Sequence, residues 1–408
     1  MKRFLLLTLY FVSVFEAASQ DIANSLTDSL FQIDDPVKDN VQVAVYYFPN
    51  WGPVKSSEWS KIQKAPPRFE GHAQPKVPVW GYGNENDPKV MKQKIDAAAT
   101  HGIDAFIFDW YYYDGDAQNF GAAEQWKGHK FLYKALEEGF LKADNNDQLK
   151  FSIMWCNHDL GKNIKGAVKP ETFELLMDYV IAHYFKHPSY WKIDGKPYFS
   201  IYEFDTFLKT FDNDYAKAAK AIQTFRSKVK AAGFPDLHLN GVLWGLKGEE
   251  LNKAISNFNL DSATSYVWIH HVPLTNFPTT EYEALAEPYF NGVEKGGLQN
   301  GLEKPASTML IPYHINVSMG WDSSPRCNYT DDWMTTKGYP FGPVIINNTP
   351  AKFKTYLERS KKLSLMKPKN ERIITINSWN EWGEGSYLEP DTVNGMNYLE
   401  AIKSVFGK

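Results

Sequence analysis

Ile374-Thr-Ile-Asn-Ser-Trp-Asn-Glu-Trp-Gly-Glu-Gly-Ser-Tyr-Leu-Glu-Pro-Asp391 begins as an apolar β-rich run and breaks into a turn of Trp, Gly and Glu. A strand ending abruptly in polar and aromatic residues is the signature of an open strand end in a parallel sheet, where loops carry chemistry. Upstream, seven further runs have the same form: Val41–Phe48, Ile103–Trp110, Lys150–Cys156, Pro197–Glu203, Leu237–Trp244, Ser262–Tyr266 and Met309–Ile315, followed by Arg372–Trp379 as the eighth. Their near-continuous apolar character suits strands covered on both faces. Between them lie amphipathic stretches at Pro88–Thr100, Glu171–Tyr184, Tyr215–Ala232, Glu281–Lys295 and Pro350–Leu365. Gly102 and Gly233 stand where a helix must stop before the next strand. Eight strands alternating with helices predict an α/β fold, a closed (β/α)8 TIM barrel. It forms a single domain over residues 41–408 with decorated βα loops. The alternative is an open doubly wound sheet, but no G-x-G-x-x-G turn follows the first strand.

A barrel of this kind places its active site at the C-terminal ends of its strands. The expected strand ends carry an acid or a large aromatic throughout: Tyr46, Asp109-Trp110, Trp155 with Asn157, Glu203, Trp244, Tyr266, Trp321-Asp322, and Asn380-Glu-Trp382 with Glu384. Glu381 and Glu384 are the candidate catalytic pair. Glycoside hydrolysis needs a proton donor and a second carboxylate, and in a helical turn residues i and i+3 share a face, with Cβ atoms about 5–6 Å apart. Glu203 is the alternative proton donor. Tyr46, Asp109, Trp110, Trp155, Asn157, Glu203, Trp244, Tyr266, Trp321, Asp322, Asn380 and Trp382 are the candidate substrate contacts, because flat rings stack on sugar faces and polar tips fix hydroxyls. Against this stands the bland reading of core aromatics and structurally paired acids. His158, His270, His271 and His314 fit no standard ligand spacing, so no metal is expected. There is no G-x-S-x-G elbow, P-loop or H-E-x-x-H.

The composition is that of a globular protein, 43% hydrophobic, and a net charge of −4 gives no electrostatic case for nucleic acid. Aromatics reach 15%, more than core packing alone calls for. Lys2 and Arg3 precede an apolar run from Phe4 to Phe15 and then Glu16-Ala-Ala-Ser-Gln20. This reads as a secretory signal peptide over residues 1–19, because the run falls short of the ~20 residues that span a bilayer. A polar lead-in covers residues 20–40, and the mature chain is expected in the periplasm or outside the cell with no membrane span. Cys156 and Cys327 are too few for a disulfide framework; they pair or stand as two buried thiols.

The stretch from Ile374 to Asp391 resembles the strand-eight signature of glycoside hydrolase family 99 and the related WbsX-type domains. Tyr46-Tyr-Phe-Pro49, Gly102-Ile-Asp-Ala-Phe-Ile-Phe-Asp-Trp-Tyr112, His187-Pro-Ser-Tyr-Trp-Lys-Ile-Asp-Gly-Lys-Pro-Tyr198 and Gly320-Trp-Asp-Ser-Ser-Pro-Arg326 resemble other parts of the same families. The resemblance implies a retaining glycosidase that needs no cofactor. It implies Glu381 as the base acting on a sugar 2-hydroxyl, which attacks the anomeric carbon to give a 1,2-anhydro sugar, and Glu384 as acid and then base. Gly383 stands where family 99 has a His. WbsX-type relatives occur in polysaccharide synthesis clusters, which keeps glycosyl transfer open.

The expected function is therefore a secreted glycoside hydrolase acting on a poly- or oligosaccharide, of α-mannoside type by the resemblance. Two rivals remain: a carbohydrate-binding barrel without catalysis, its acids held in salt bridges, and a transferase.

Overall fold

The computed structural model describes residues 40–115, 121–244 and 248–407. The expected signal peptide and nearly all of the lead-in lie outside the described residues. Eight parallel strands close on themselves: β1 (Gln42–Tyr47), β2 (Ala105–Tyr112), β3 (Lys150–Trp155), β4 (Lys196–Ile201), β5 (His238–Val242), β6 (Ser262–Thr264), β7 (Tyr313–Ser318) and β8 (Ile373–Asn377). Each pairs with the next, and β8 returns to β1 with Gln42 opposite Ile373 and Val45 opposite Ile376. The sheet thus has no free edge, which removes the unpaired backbone groups of an open sheet. The open-sheet alternative falls on this closure.

Seven longer helices lie among the described residues: α1 (Pro88–Thr100), α2 (Pro170–Val180), α3 (Tyr215–Ala231), α4 (Gly248–Phe258), α5 (Tyr282–Lys295), α6 (Pro350–Leu365) and α7 (Asn397–Phe406). Asp87 caps α1 and Asp214 caps α3, each accepting from backbone N–H groups of the first turn. Pro88, Pro170 and Pro350 open their helices, where a missing N–H costs nothing. Gly102 and Gly233 have φ of +84° and +97°, the left-handed backbone expected where those helices turn toward their strands. Between β2 and β3 the crossover is a π-turn (Ala135–Gly139) followed by a 3-10 turn (Phe140–Lys142).

Strand alternation decides which residues face the barrel mouth. On β2, Asp109 points inward, while Trp110 points outward and donates to the Tyr184 hydroxyl. On β3, Trp155 is fully buried against Phe173 and Phe207. Both tryptophans are packing residues between sheet and helices, which corrects their expected role as sugar platforms. Cys156 and Cys327 are unpaired, buried thiols.

Candidate active site

The chain leaves β8 into a short antiparallel hairpin, Asn380–Glu381 against Ser386–Tyr387, that encloses a 3-10 turn at Trp382–Glu384. Backbone hydrogen bonds fix this loop from below. Ser378 Oγ accepts from Glu381 N and donates to Ser386 O, and Ser386 Oγ donates to Asn377 O. The Asn380 amide bonds both the N–H and the C=O of Phe48, tying the end of β8 to the end of β1. Glu389 accepts from the indoles of both Trp379 and Trp382, at 3.1 and 2.6 Å. Its other partner is Lys94 of α1, at 2.6 Å, which also reaches Glu85. Asn380 and Trp382, expected to touch substrate, are fully buried and shape the loop instead. Tyr46 is buried beneath Tyr266, its ring 4.7 Å away, and Asn157 binds the N–H and C=O of Glu203. All four are supports rather than contacts, because their polar atoms are already committed.

Glu381 and Glu384 converge on one cation. Arg326 Nη2 lies 3.2 Å from Glu381 Oε2, Nη1 contacts Glu384 Oε1, and Nε lies 3.2 Å from Glu58 Oε2. The guanidinium also packs on the Phe48 ring, 5.4 Å from its centroid. Tyr339, whose ring is largely exposed, donates its hydroxyl to Glu384 at 3.1 Å. On the other side of the pair, the Tyr266 hydroxyl lies 3.1 Å from Glu381 Oε1 and 2.9 Å from Asp109 Oδ2. That hydroxyl has one proton to give. Both contacts are hydrogen bonds only when one of the two carboxyls is protonated and donates back to the phenol oxygen.

Electrostatics lead to the same conclusion. Four carboxyl groups, Glu58, Asp109, Glu381 and Glu384, gather around a single guanidinium largely out of water. Burial pushes Glu381 well above the usual carboxylate range, and the Glu384 and Asp109 charges add to this against Arg326. Asp109 is pushed well above its range by burial, with the Tyr266 hydrogen bond opposing. Burial also raises Glu384, while Arg326 and the Tyr339 hydrogen bond pull it back. All three shifts run in the direction that favours the protonated carboxyl, the direction a general acid requires. Asp109 Oδ1 is buried without a partner, an acceptor open to a hydroxyl. The side chains of Glu384 and Glu381 keep 12% and 5% exposure.

Gly383 and Gly385 differ in what they supply. Gly385 has φ +64°, a left-handed turn. Gly383 is needed for space: a Cβ there would lie 2.7 Å from Glu58 Oε2 and 2.9 Å from Arg326 Nε.

Two cavities flank this cluster. One of about 720 Å³ lies at the ends of β3, β4 and β5, lined by His158, Tyr202, Glu203 and Trp244. The Tyr202 ring, in the wall of this cavity, packs edge-on against Tyr266. Glu203 accepts from Trp244 Nε1 and Thr206 Oγ1. It stands away from Arg326, so Glu381 and Glu384, not Glu203, form the converging pair. The other cavity, about 570 Å³, is lined by Trp321, Asp322, His72 and Tyr387. Asp322 is buried and accepts from His72, Gln74, Lys76 and the Ser324 N–H and hydroxyl. Burial pushes its carboxyl upward, but the Lys76 charge and the His72 contact override this and hold it far below the usual range. A depressed folded-state pKa contributes stability that is present above the ordinary value and lost as pH falls toward the folded one. Asp322→Asn is expected to cost about 3–5 kcal/mol at neutral pH by stranding Lys76. The deficit should shrink below about pH 4, as urea titrations across pH will read.

Sequence reasoning missed Arg326, Tyr339 and Glu58. Arg326 was in view in the loop after β7; the signal was that so many mouth acids require a cation. No group of His, Cys, Asp and Glu among the described residues has metal-holding geometry, and no described helix is long and apolar enough to cross a membrane.

The fold is shared with solved glycoside hydrolases. The GH99 endo-α-mannosidase from Bacteroides thetaiotaomicron, in complex with bis-tris-propane, superposes with a TM-score of 0.54 at 15% identity, over 90% of this chain and 96% of that one. A glycoside hydrolase-like protein gives 0.55 at 14% identity, over 93% and 98%. At these identities the likeness shows the barrel alone. In sequence, the uncharacterized protein WxcX from two strains of Xanthomonas campestris pv. campestris is 22% identical over 387 residues, 88% of this chain and 49% of the relative. The chain thus spans about half the length of the curated relatives it matches. The family model described as "Glycosyltransferase WbsX" matches residues 50–402. With that match over a GH99-like barrel, the chain belongs to the WbsX family.

Proposed function

We propose that this protein cleaves a glycosidic bond of an oligo- or polysaccharide, with retention, at the Glu381–Glu384 pair. The observation that carries the reading is the convergence of both carboxyls on Arg326, with Asp109 and Tyr266 against them in a largely buried cluster. Glu381, made more basic by burial and by Asp109, takes the proton of the 2-hydroxyl. That oxygen attacks the anomeric carbon while Glu384 gives its proton to the departing oxygen, yielding a 1,2-anhydro sugar. Glu384 then takes a proton from water, whose oxygen attacks the anomeric carbon, and Glu381 returns its proton to the 2-oxygen. An α-mannoside-type substrate follows from the family resemblance, and secretion from the reading of residues 1–19.

The cavity at β3–β5 suits a sugar further along the chain, with Trp244 as platform and Glu203 as hydroxyl acceptor. Trp244→Ala is expected to raise KM a few-fold to about tenfold for longer oligosaccharides, and to leave the shortest cleaved substrate unaffected. Initial rates against chain length measure this.

The family description favours a second reading, transfer of a sugar to an acceptor. Incubation with a panel of α-mannans and other bacterial polysaccharides, with and without added acceptor sugars, separates the two. New reducing ends support hydrolysis; an acceptor-extended product with none supports transfer. The salt bridges to Arg326 also suit a barrel that binds without cleaving. One guanidinium against four acids argues otherwise, and binding without any product would establish it.

A further inference from the structure

Arg326 stands out because the loop is built around it. Its guanidinium meets three carboxylates from separate elements: Glu58 just before the helix Trp59–Lys64, Glu381 at 3.2 Å, and Glu384. Gly383, between the two acids, is the residue that admits it. Any side chain there would collide with Arg326 Nε and Glu58 Oε2. Phe48 closes one face of the guanidinium, and the Tyr339 hydroxyl contacts both Nη1 and Glu384. A cation so placed meets the negative charge that appears on Glu384 as its proton leaves.

We propose that Arg326, admitted by Gly383 and anchored by Glu58, is a positioning residue that holds the Glu384 carboxyl ready to give its proton to the departing oxygen and stabilises the carboxylate left behind. It acts through Glu384, not on the sugar. The titratable groups facing the pair are Glu58, Asp109, Tyr266, Tyr339 and Arg326 itself, with Tyr111, Tyr202 and Cys156 nearby. Burial raises those last three and Tyr266 well above their ordinary ranges, so they stay neutral. Arg326 is thus the one cation in direct contact with Glu384 among the described residues, so its removal has a predictable sign. This assignment deepens the hydrolase reading, but its central measurement needs no substrate.

The test follows the Glu384 carboxyl by 13C NMR in full-length protein labelled at Glu, assigned by the signal lost in Glu384→Gln. In Arg326→Gln the Glu384 midpoint should rise by about 1–3 pH units. Arg326→Lys, which keeps a charge but not the fork, should recover part of the shift. Gly383→Ala retains the arginine but evicts it, so the midpoint should move in the same direction as in Arg326→Gln. That shared direction is what a merely structural role would not produce. On a cleaved glycan, the alkaline limb of kcat/KM, set by the general acid Glu384, should move to higher pH with KM little altered. An unchanged midpoint in both Arg326→Gln and Gly383→Ala, with folding confirmed by near-UV circular dichroism, overturns the proposal. If Arg326→Gln does not fold, Arg326→Lys and Gly383→Ala carry the decision. A shifted midpoint in a protein that cleaves no glycan refutes the hydrolase reading and leaves the assignment standing.

Discussion

Glu384→Gln and Glu381→Gln are each expected to lower turnover by roughly 10²–10⁴-fold while saccharide binding persists. The amide is nearly isosteric, so the loop survives: Glu381 N still donates to Ser378 Oγ, and Trp382 remains held by Glu389. Only the proton chemistry is lost. Gln at 384 cannot protonate the leaving oxygen, and Gln at 381 cannot accept the 2-hydroxyl proton. The two variants should also differ. A substrate whose leaving group departs without protonation should restore much of the rate in Glu384→Gln and little in Glu381→Gln. Pre-steady-state rates on an activated aryl glycoside and on the natural glycan make the comparison. Near-normal turnover in either variant would remove that residue from the mechanism.

Lys94→Met should be strongly destabilising, at about 3–5 kcal/mol. Its ammonium lies between Glu389 and Glu85, at 2.6 and 3.2 Å, with the Tyr47 hydroxyl also at 3.2 Å. Met fills the space and leaves two buried carboxyls without a cation. The pair is not symmetric. Burial opposes the charge on Lys94, yet Glu389 and Glu85 prevail and raise it. On Glu85 burial prevails over Lys94, so it too is raised. Desolvation of the acid is thus only partly offset even in the wild type, and loss of the lysine removes what offset there is. Because Lys94 is raised, its contribution is complete below the ordinary lysine range and fades as pH rises through the folded value. Urea unfolding should therefore show a deficit that is largest near neutrality and narrows at strongly alkaline pH. Activity should fall as well, since Glu389 orients the two indoles under the turn that carries Glu381 and Glu384.

Much of the barrel was legible because its signal is local. A strand covered on both faces is largely apolar, as Val41–Phe48, Ile103–Trp110 and Lys150–Cys156 are. Strand seven shows where that logic fails. Met309–Ile315 looked like the run, yet β7 is Tyr313–Ser318. Pro312 has no N–H for the ladder, and the polar Asn316 and Ser318 are accommodated inside the barrel by bonds to Thr375 and to Trp268 N. Glu381 and Glu384 were legible from spacing, and the 3-10 turn supplies the shared face that spacing required. The aromatic contacts were harder. Adjacent residues on a strand face opposite ways, so Asp109 and Trp110 cannot both reach the mouth, and a one-residue uncertainty in register inverts the choice. Arg326 and Tyr339 lie 13 residues apart in the loop after β7, and Glu58 comes from the loop after β1, so the group forms only in the closed barrel. Nothing in their local sequence marks them. Gly383 leaves room for a side chain 57 positions earlier, a relation that exists only in three dimensions.

The measurement that bears most directly on the central claim is the anomeric configuration of the first product, followed by 1H NMR during cleavage of a responsive glycan. Two acids sharing one guanidinium, with a 2-hydroxyl between them and the anomeric carbon, predict a new reducing end that appears first in the configuration of the parent linkage and only then mutarotates. A first product of inverted configuration would contradict the mechanism. Sugar released only onto an added acceptor, with no free reducing end at any stage, would contradict the assignment of this barrel as a hydrolase.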